Sequence, residues 1–359
     1  MFVIERDIYL VKRMRAVVVL FFLMSLFLFF SVYISPEVLS YTGLLPLLIP
    51  VFMIFNLFLV VLFLFGKTRL ILYPLIVLVI GWKFFPITFQ WNQPSSPEGG
   101  LVLLSFNAMH FNQSWSTKSK EAISNSIEWA RKYPADIKCF QEFHQDFSTP
   151  SRNALKLISN EGEYHYKYHP FGGNKKRSQG LAIFSKYPIV NDGTVFDNQT
   201  NNGTIFVDVK VAKDTIRVYN THLESMNIPA QQLGELEGIK KNYRQTIRKL
   251  KNGIVMRARQ IEMLMEHIAQ SPYPVILAGD FNDVPYSYTY FTVRSTLQNA
   301  FEAAGRGFGF TYNKVLFFLR IDHIFTDKKF TIHQFKTHRE VDYSDHYPIS
   351  TKISWKPPI

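Results

Sequence analysis

Two packed β-sheets flanked by helices, an α+β fold preceded by an N-terminal transmembrane helical region, are what this chain predicts. Three observations predict it: the long uncharged apolar runs fall before residue 92, short strand-like runs outnumber helical ones after residue 100, and polar residues directly follow those strand-like runs. The 359 residues suggest about two structural units at ~150 residues per domain. A hydrophobic fraction of 47% with 19% charged residues excludes a largely disordered chain. The single cysteine, Cys139, excludes an intrachain disulfide and a cysteine-rich zinc site. Of the net +12, residues 1–97 carry +4 (seven basic, three acidic) and residues 98–359 carry +8 (33 basic, 25 acidic).

Residues 1–91 read as a membrane anchor. Arg15 and Glu37 bracket 21 uncharged residues, and Glu37 and Lys67 bracket 29 more. Both exceed the ~18 residues at which an apolar run reads as a spanning helix. Pro46 and Pro50 interrupt the second run, which a membrane tolerates where neighbouring helices re-satisfy the backbone. The third run, Leu70–Trp82, has only 13 uncharged residues and reaches spanning length through Lys83 to Phe89 if the lysine snorkels. The expected spans are 16–34, 42–65 and 70–89. A cleaved signal peptide fits the first run poorly, because the run is too long and Val32–Ile34 is bulky where small residues belong. Basic residues flank the runs in alternation: Arg6, Lys12, Arg13 and Arg15 before the first, none in Ser35–Tyr41, Lys67 and Arg69 in the second loop, and none from Phe84 to Thr117. The positive-inside rule then puts the N-terminus inside and everything after Trp91 outside a cytoplasmic membrane crossed several times. A re-entrant third run would reverse that side. Residues 92–100, rich in Pro, Ser and Gly, read as a linker to a domain spanning 101–359.

In that domain Leu101–Phe106 is a buried strand, Lys120–Lys132 a helix with Ala122, Ile123, Ile127 and Ala130 on one face, and Asp136–Phe143 a strand. Gly180–Phe184, Ile205–Val211 and Thr215–Asn220 follow as strands, then a helix over Ile254–Ala269 and strands at Pro274–Ala278, Ile321–Phe325 and Ile349–Ile353. Many strands with few helices imply sheet-on-sheet packing with helices outside.

Six motifs put metal-competent or proton-transferring residues after strand-like runs: Ser105-Phe106-Asn107, Phe140-Gln141-Glu142, Asn220-Thr221-His222-Leu223, Gly279-Asp280-Phe281-Asn282-Asp283, Arg320-Ile321-Asp322-His323-Ile324 and Ser344-Asp345-His346-Tyr347-Pro348. Each alone has an ordinary reading, as a turn cap, a core histidine, a salt bridge or a solvated loop pair. Their order resembles the endonuclease/exonuclease/phosphatase superfamily over about Leu101 to Ile353. The resemblance implies a four-layer α/β/β/α sandwich and a metal-dependent phosphoric ester hydrolase. It implies Asn107, Glu142 and Asp345 as ligands of Mg²⁺, with Mn²⁺ the alternative ion, since hard divalent cations take oxygen donors. It further implies His346 as general base, Asp322 fixing its tautomer, Asp280 and Asn282 positioning the water and holding the phosphate or the metal, and His222 donating to phosphoryl oxygens. Asp283 reads as structural, His323 as a neighbour of the site, Arg320 as pairing locally and Cys139 as buried packing.

The substrate is less legible. Ile239–Arg259 carries Lys240, Lys241, Arg244, Arg248, Lys249, Lys251, Arg257 and Arg259 without an acidic residue, which suits phosphate contact or a solvated helix face equally. The basic run Lys175–Arg177 could likewise reach substrate. Two aromatic clusters, Tyr286/Tyr288/Tyr290/Phe291 and Phe308/Phe310/Tyr312, fit base stacking, lipid contact or ordinary core. The expected partners are the lipid bilayer and a phosphoester, either a lipid headgroup or nucleic acid; no protein partner is inferable. A phosphodiesterase is the leading reading, with a membrane-bound deoxyribonuclease, a sphingomyelinase-like lipid phosphodiesterase and an inactive phosphate-binding module as alternatives.

Overall fold

The computed structural model describes residues 2–93, 95, 99–112, 120–198, 201–225, 236–314 and 318–356, without the side chains of 2–11, 112, 120–124 and 236–242. Three helical stretches are long and apolar enough to cross a membrane: Lys12–Ser31, Ser40–Phe65 and Arg69–Thr88. In the second, Pro46 and Pro50 each stand in the first turn of a helical segment, where a missing N–H costs nothing, so neither proline breaks the helix. The third is a composite: 3₁₀ turns at Arg69–Ile71 and Gly81–Lys83 alternate with α-helix at Leu72–Ile80 and Phe84–Thr88. Gly81 is required there, since a Cβ would lie 2.4 Å from the Phe29 ring of the first stretch. A buried Asn56 amide donates to Ser25 Oγ at 3.0 Å, joining the first two stretches by the kind of polar link that lipid does not compete for.

The sheets are built from β1 (Gln90–Trp91), β2 (Leu101–Asn107), β3 (Ile137–Asp146), β4 (His165–Gly173), β5 (Arg177–Ser185), β6 (Ile189–Asp197), β7 (Gly203–Val211), β8 (Asp214–His222), β9 (Val275–Asp280), β10 (Gln298–Asn299), β11 (Arg306–Gly307), β12 (Asp322–Thr326), β13 (Phe330–Thr337) and β14 (Ile349–Trp355). One six-stranded sheet runs β10-β12-β9-β8-β7-β6 and the other β13-β14-β2-β3-β5-β4; β1 and β11 form a separate pair. Both large sheets are mixed, with β2–β3 and β8–β9 parallel.

Strand alternation divides the interior into layers. Leu101, Leu103, Ile137, Cys139, Ile216, Val218, Ile276, Ala278 and Ile324 meet between the sheets. Leu104, Phe106, Phe140 and Phe184 turn the other way, onto Ile127 and Ala130 of the helix Lys120–Lys132 and onto Leu155 and Ile158. Tyr219, Leu277 and Phe325 pack on Ile261 and Leu264 of the long helix Leu236–Ala269, in one cluster with Phe29, Met53, Val77 and Phe84 of the apolar stretches. The four-layer sandwich is therefore present, and the apolar bundle shares the outer core of one sheet. The described part of the 92–100 segment is tied down as well: Asn92 N donates to Gly305 O and Ser95 N to His333 O.

Several elements extend past their sequence signals. The helix expected over 254–269 begins at Leu236. Strands β4, β6 and β13 had no clear signal because β4 and β6 are half-exposed edges and β13 carries polar residues on its outer side. The Tyr286–Phe291 cluster is core at the junction. Phe291 rests on Phe84 and Tyr33, and the Tyr286 and Thr88 hydroxyls lie 2.8 Å apart.

Candidate active site

The residues facing the inter-sheet core change from apolar to polar at one end of both sheets. On β2 the inward series is Leu101, Leu103, Ser105, Asn107; on β3 it is Ile137, Cys139, Gln141; on β8 it is Ile216, Val218, Asn220, His222; on β9 it is Ile276, Ala278, Asp280. The first polar layer locks the sheets together. Gln141 Nε2 donates to Asn220 Oδ1 at 2.6 Å and to Ser105 Oγ at 3.2 Å, and Asn220 Nδ2 donates to the carbonyls of Phe140 and Ala182. Above it, register sets His222 opposite Asp280 on parallel strands and Asp322 opposite Asp280 on antiparallel ones.

Glu142 joins this layer by a different route. Between Phe140 and Phe143, β3 carries one residue more than its partner β5, and Glu142 is in the left-handed region at φ 48°. A bulge of this kind re-aims a side chain that alternation would turn away.

Asp280 is the hub. Its Oδ2 accepts from Asn107 Nδ2 at 2.9 Å and lies 3.6 Å from His222 Nε2 and 3.7 Å from His346 Nε2. Its Oδ1 accepts from the Asn282 backbone N–H at 2.8 Å, and Asn282 Nδ2 donates to Leu223 O at 3.0 Å. His346 Nδ1 bonds Asp322 Oδ2 at 2.9 Å. A carboxylate only accepts, so Nδ1 carries the proton and Nε2 faces Asp280. Burial opposes charge on this imidazole, but Asp322, Asp280 and Asp345 outweigh it and hold His346 protonated well above the ordinary histidine range. Burial raises Asp322, against the pull of His346. His222 Nδ1 bonds Asn201 O at 2.8 Å, which leaves its Nε2 toward Asp280 and, at 3.9 Å, Glu142. Ser344 Oγ donates to Asn107 O at 2.7 Å and accepts from His346 N, seating the 344–346 turn on β2. Asp345 follows Ser344 in that turn.

All eight expected residues thus belong to one end of the sandwich. Arg320 differs from expectation. It is buried, donates to the carbonyls of Phe308 and Ile87, and covers the Phe301 ring at 3.7 Å; burial holds its pKa below the usual arginine value. Its charge serves the junction with the third apolar stretch rather than Asp322. Asp283 pairs with buried Arg257 at 3.2 Å, Arg177 with Asp146 at 3.0 Å, and His323 is enclosed by Phe281, Tyr290 and Phe325.

Two residues were not expected. His110 Nε2 lies 3.3 Å from Glu142 Oε2, presented by a turn in which Met109, His110 and Phe111 all have positive φ. Sequence offers no signal for three consecutive left-handed residues without glycine. Tyr312 stands edge-on to His346 at 5.3 Å, and its phenol is pushed up to about 12 by burial and by Asp345, Asp280 and Glu142. Its place in an aromatic cluster was the available signal.

Two donor sets for a cation follow. Asp280, Asp322 and His346 offer ligand atoms within 4.8 Å of one another, but the His346–Asp322 bond already occupies one atom of each. Asn107, Glu142 and Asp345 supply oxygen donors. Among the described residues no lysine or arginine pairs with Glu142, Asp280, Asp322 or Asp345. The chemistry of that set fits a hard divalent cation.

Comparison with known proteins bears on the family and the fold. Residues 104–346 match the model of the Endonuclease/Exonuclease/phosphatase family, and residues 11–88 match a domain of unknown function. No curated protein matches the sequence. Similar solved structures include an endonuclease/exonuclease/phosphatase family protein from Bacteroides thetaiotaomicron (17% identity, 74% of this chain and 100% of that one, TM-score 0.52). Another is the human Nocturnin catalytic domain (16% identity, 74% and 98%, TM-score 0.52), and a third an endonuclease/exonuclease/phosphatase from Beutenbergia cavernae (16%, 71% and 71%, TM-score 0.52). At these identities the likeness concerns the fold, while the family match covers the stretch from β2 to His346 that carries the whole polar layer. The chain belongs to the Endonuclease/Exonuclease/phosphatase family.

Proposed function

We propose that this protein is a membrane-anchored, divalent-cation-dependent phosphodiesterase whose catalytic domain lies outside the cytoplasmic membrane. The observation that carries the chemistry is the Asp322–His346–Asp280 arrangement, an imidazole oriented through Nδ1 whose Nε2 faces a carboxylate that can hold a water. In this reading Asp280 positions the attacking water, and His346, in the neutral form reached above its raised pKa, takes the water's proton on Nε2. Asp322 keeps the Nδ1–H tautomer, and His222, whose Nδ1–H already donates to Asn201 O, acts in its imidazolium form to donate from Nε2 to a phosphoryl oxygen as charge develops there. Asn282 fixes the Asp280 loop. Asn107, Glu142 and Asp345 would hold Mg²⁺ (or Mn²⁺), which when bound neutralises phosphoryl charge and so favours attack on an anionic ester.

Support for the anchor comes from where apolar surface is exposed. Val17, Leu20, Leu23, Phe27, Phe30, Ile54, Phe58, Leu64 and Val79 all face outward from the bundle. A surface of that kind is costly in water and natural in lipid. Three crossings bring the end of the third helix to the side of the first loop, and the basic residues at the other ends give the orientation. Hydrolysis by the full chain in lipid nanodiscs, with Mg²⁺, of a soluble diester, a soluble monoester, a phospholipid and single-stranded DNA tests the reading. Turnover of the diester or the lipid above the monoester supports it. Turnover of the monoester alone would replace it with a phosphatase.

A further inference from the structure

The long helix Leu236–Ala269 outlasts the body it packs on. Its C-terminal half lies antiparallel to β8: the Tyr219 hydroxyl and His267 Nδ1 are 2.8 Å apart, Gln260 Oε1 accepts from Glu224 N, and Arg257 donates to Glu224 O. Arg257 is therefore level with the end of the sheet that carries His222. At 1.5 Å per residue, Tyr243 lies about 20 Å farther on.

What the helix meets on the way is the loop between the first two apolar stretches. Ser35 Oγ donates to Glu262, Arg259 pairs with Glu37, Gly43 closes on Ile254, and Lys251 Nζ lies 4.3 Å over the Tyr41 ring. These four contacts run along the helix in nearly reverse order to the loop, so the helix passes across the end of the bundle. Beyond them Tyr243, Arg244, Gln245, Ile247 and Arg248 are all exposed, on more than one face. Tyr243 is 49% and Ile247 42% exposed, one helical turn apart on the same face. No acidic residue occurs between Ile239 and Arg259.

We infer that the segment Tyr243–Lys251 lies in the headgroup layer of the bilayer that holds the bundle and binds anionic lipid there. Arg244, Arg248 and Lys251 meet the lipid phosphates, while Ile247 and the Tyr243 ring enter the acyl boundary. Basic side chains interleaved with exposed apolar ones are the composition of an interfacial helix. A nucleic acid would use the cations but not Ile247, and continuity with the bundle end favours lipid. Because Arg257 and Glu224 tie the same helix to the catalytic end of β8, the bound lipid would flank the active-site mouth. The inference rests on the bundle being embedded in a membrane.

Single-cysteine labelling of the full chain separates the two readings. Cys139 is fully buried with its thiol pKa raised, so it stays unlabelled in the folded protein. A fluorophore is attached to Ile247→Cys, to Phe58→Cys in the second apolar stretch, or to Tyr166→Cys at the opposite end of the domain. Each is then read in nanodiscs containing nitroxide lipids, with phosphatidylcholine alone or mixed with phosphatidylglycerol. We expect acyl-chain nitroxide to quench the Phe58→Cys probe and headgroup nitroxide to quench the Ile247→Cys probe. The latter should be stronger in anionic discs and fall severalfold in Arg244→Glu/Arg248→Glu. The Tyr166→Cys probe should report water. Quenching at position 58 with none at 247 would overturn the interfacial helix alone. No quenching at 58 would overturn the embedded bundle with it. Shielding of the 247 probe from iodide by DNA but not by lipid would assign the surface to nucleic acid instead.

Discussion

Glu142 sits in a backbone conformation that costs a non-glycine residue about 1 kcal/mol or more, held by the bulge in β3. The strain brings its carboxylate to Asn107 and His110. If that carboxylate ligates the cation, Glu142→Gln should keep the fold and weaken Mg²⁺ binding by at least about tenfold, with part of the activity returning at excess metal. Calorimetry with unchanged Mg²⁺ affinity would remove Glu142 from the ligand set. His346 offers a second test. In metal-free protein its imidazole should stay protonated well past pH 6.5, because Asp322 and Asp280 outweigh burial. Asp322→Asn should bring that titration down, as followed by the imidazole proton resonances; titration below pH 6.5 in the parent protein would contradict the ion-pair geometry. Asn107, His222 and Asp280 are legible because they end recognisable strands, and Glu142, Asp322 and His346 because they sit in short polar motifs beside apolar runs. His110 is not, since its position depends on a left-handed turn that no local composition signals.

Strand β12 combines function and stability within five residues. Asp322 begins it at the site, and His323 next to it faces the opposite layer, enclosed by aromatic rings, its pKa depressed from 6.5 to about 3 by burial. The sign follows directly. The unfolded chain takes up a proton near pH 6.5 and the folded chain does not until about pH 3, so this stability is present above pH 6.5 and lost as pH falls. Within that window the loss approaches about 1.4 kcal/mol per pH unit. His323→Phe, which keeps the aromatic packing, should flatten the acid dependence of thermal unfolding in detergent even if it lowers stability at neutral pH. An unchanged acid slope would show that His323 is not the buried group that titrates. Elements were legible where both faces are buried, as in β2, β8 and β9. The edges β4 and β6 were not, because an edge strand half in water has neither a continuous apolar run nor strict alternation. The N-terminal half of the long helix is less legible because basic and polar residues crowd between its apolar positions Ile239, Tyr243, Ile247 and Leu250.

The whole molecule joins a membrane-type bundle to a phosphoesterase sandwich through a shared core: Phe29, Val77 and Phe84 pack in one cluster with Tyr219, Leu277 and Phe325. That contact was beyond sequence reading, since it depends on which outer sheet face meets the bundle. With the bundle embedded as proposed, that contact would set how the active site is oriented to the membrane plane. A reporter fused after Gly100 should be active outside the cytoplasm, and protease added to spheroplasts should reach the domain. Activity of the reporter only inside the cytoplasm would reverse the orientation. The catalytic claim itself is tested most directly by kcat/KM for a soluble phosphodiester with the full chain, with and without Mg²⁺, in the parent, His346→Ala, Asp322→Asn and the double variant. His346→Ala should lose about 10²–10⁴-fold, equivalent to about 3–5 kcal/mol, and Asp322→Asn much of the same. The double variant should be little worse than His346→Ala, because the two residues serve one proton transfer. Hydrolysis that survives chelation of divalent cations, or losses that multiply across the two positions, would contradict a metal-dependent attack by a water that His346 and Asp322 activate together.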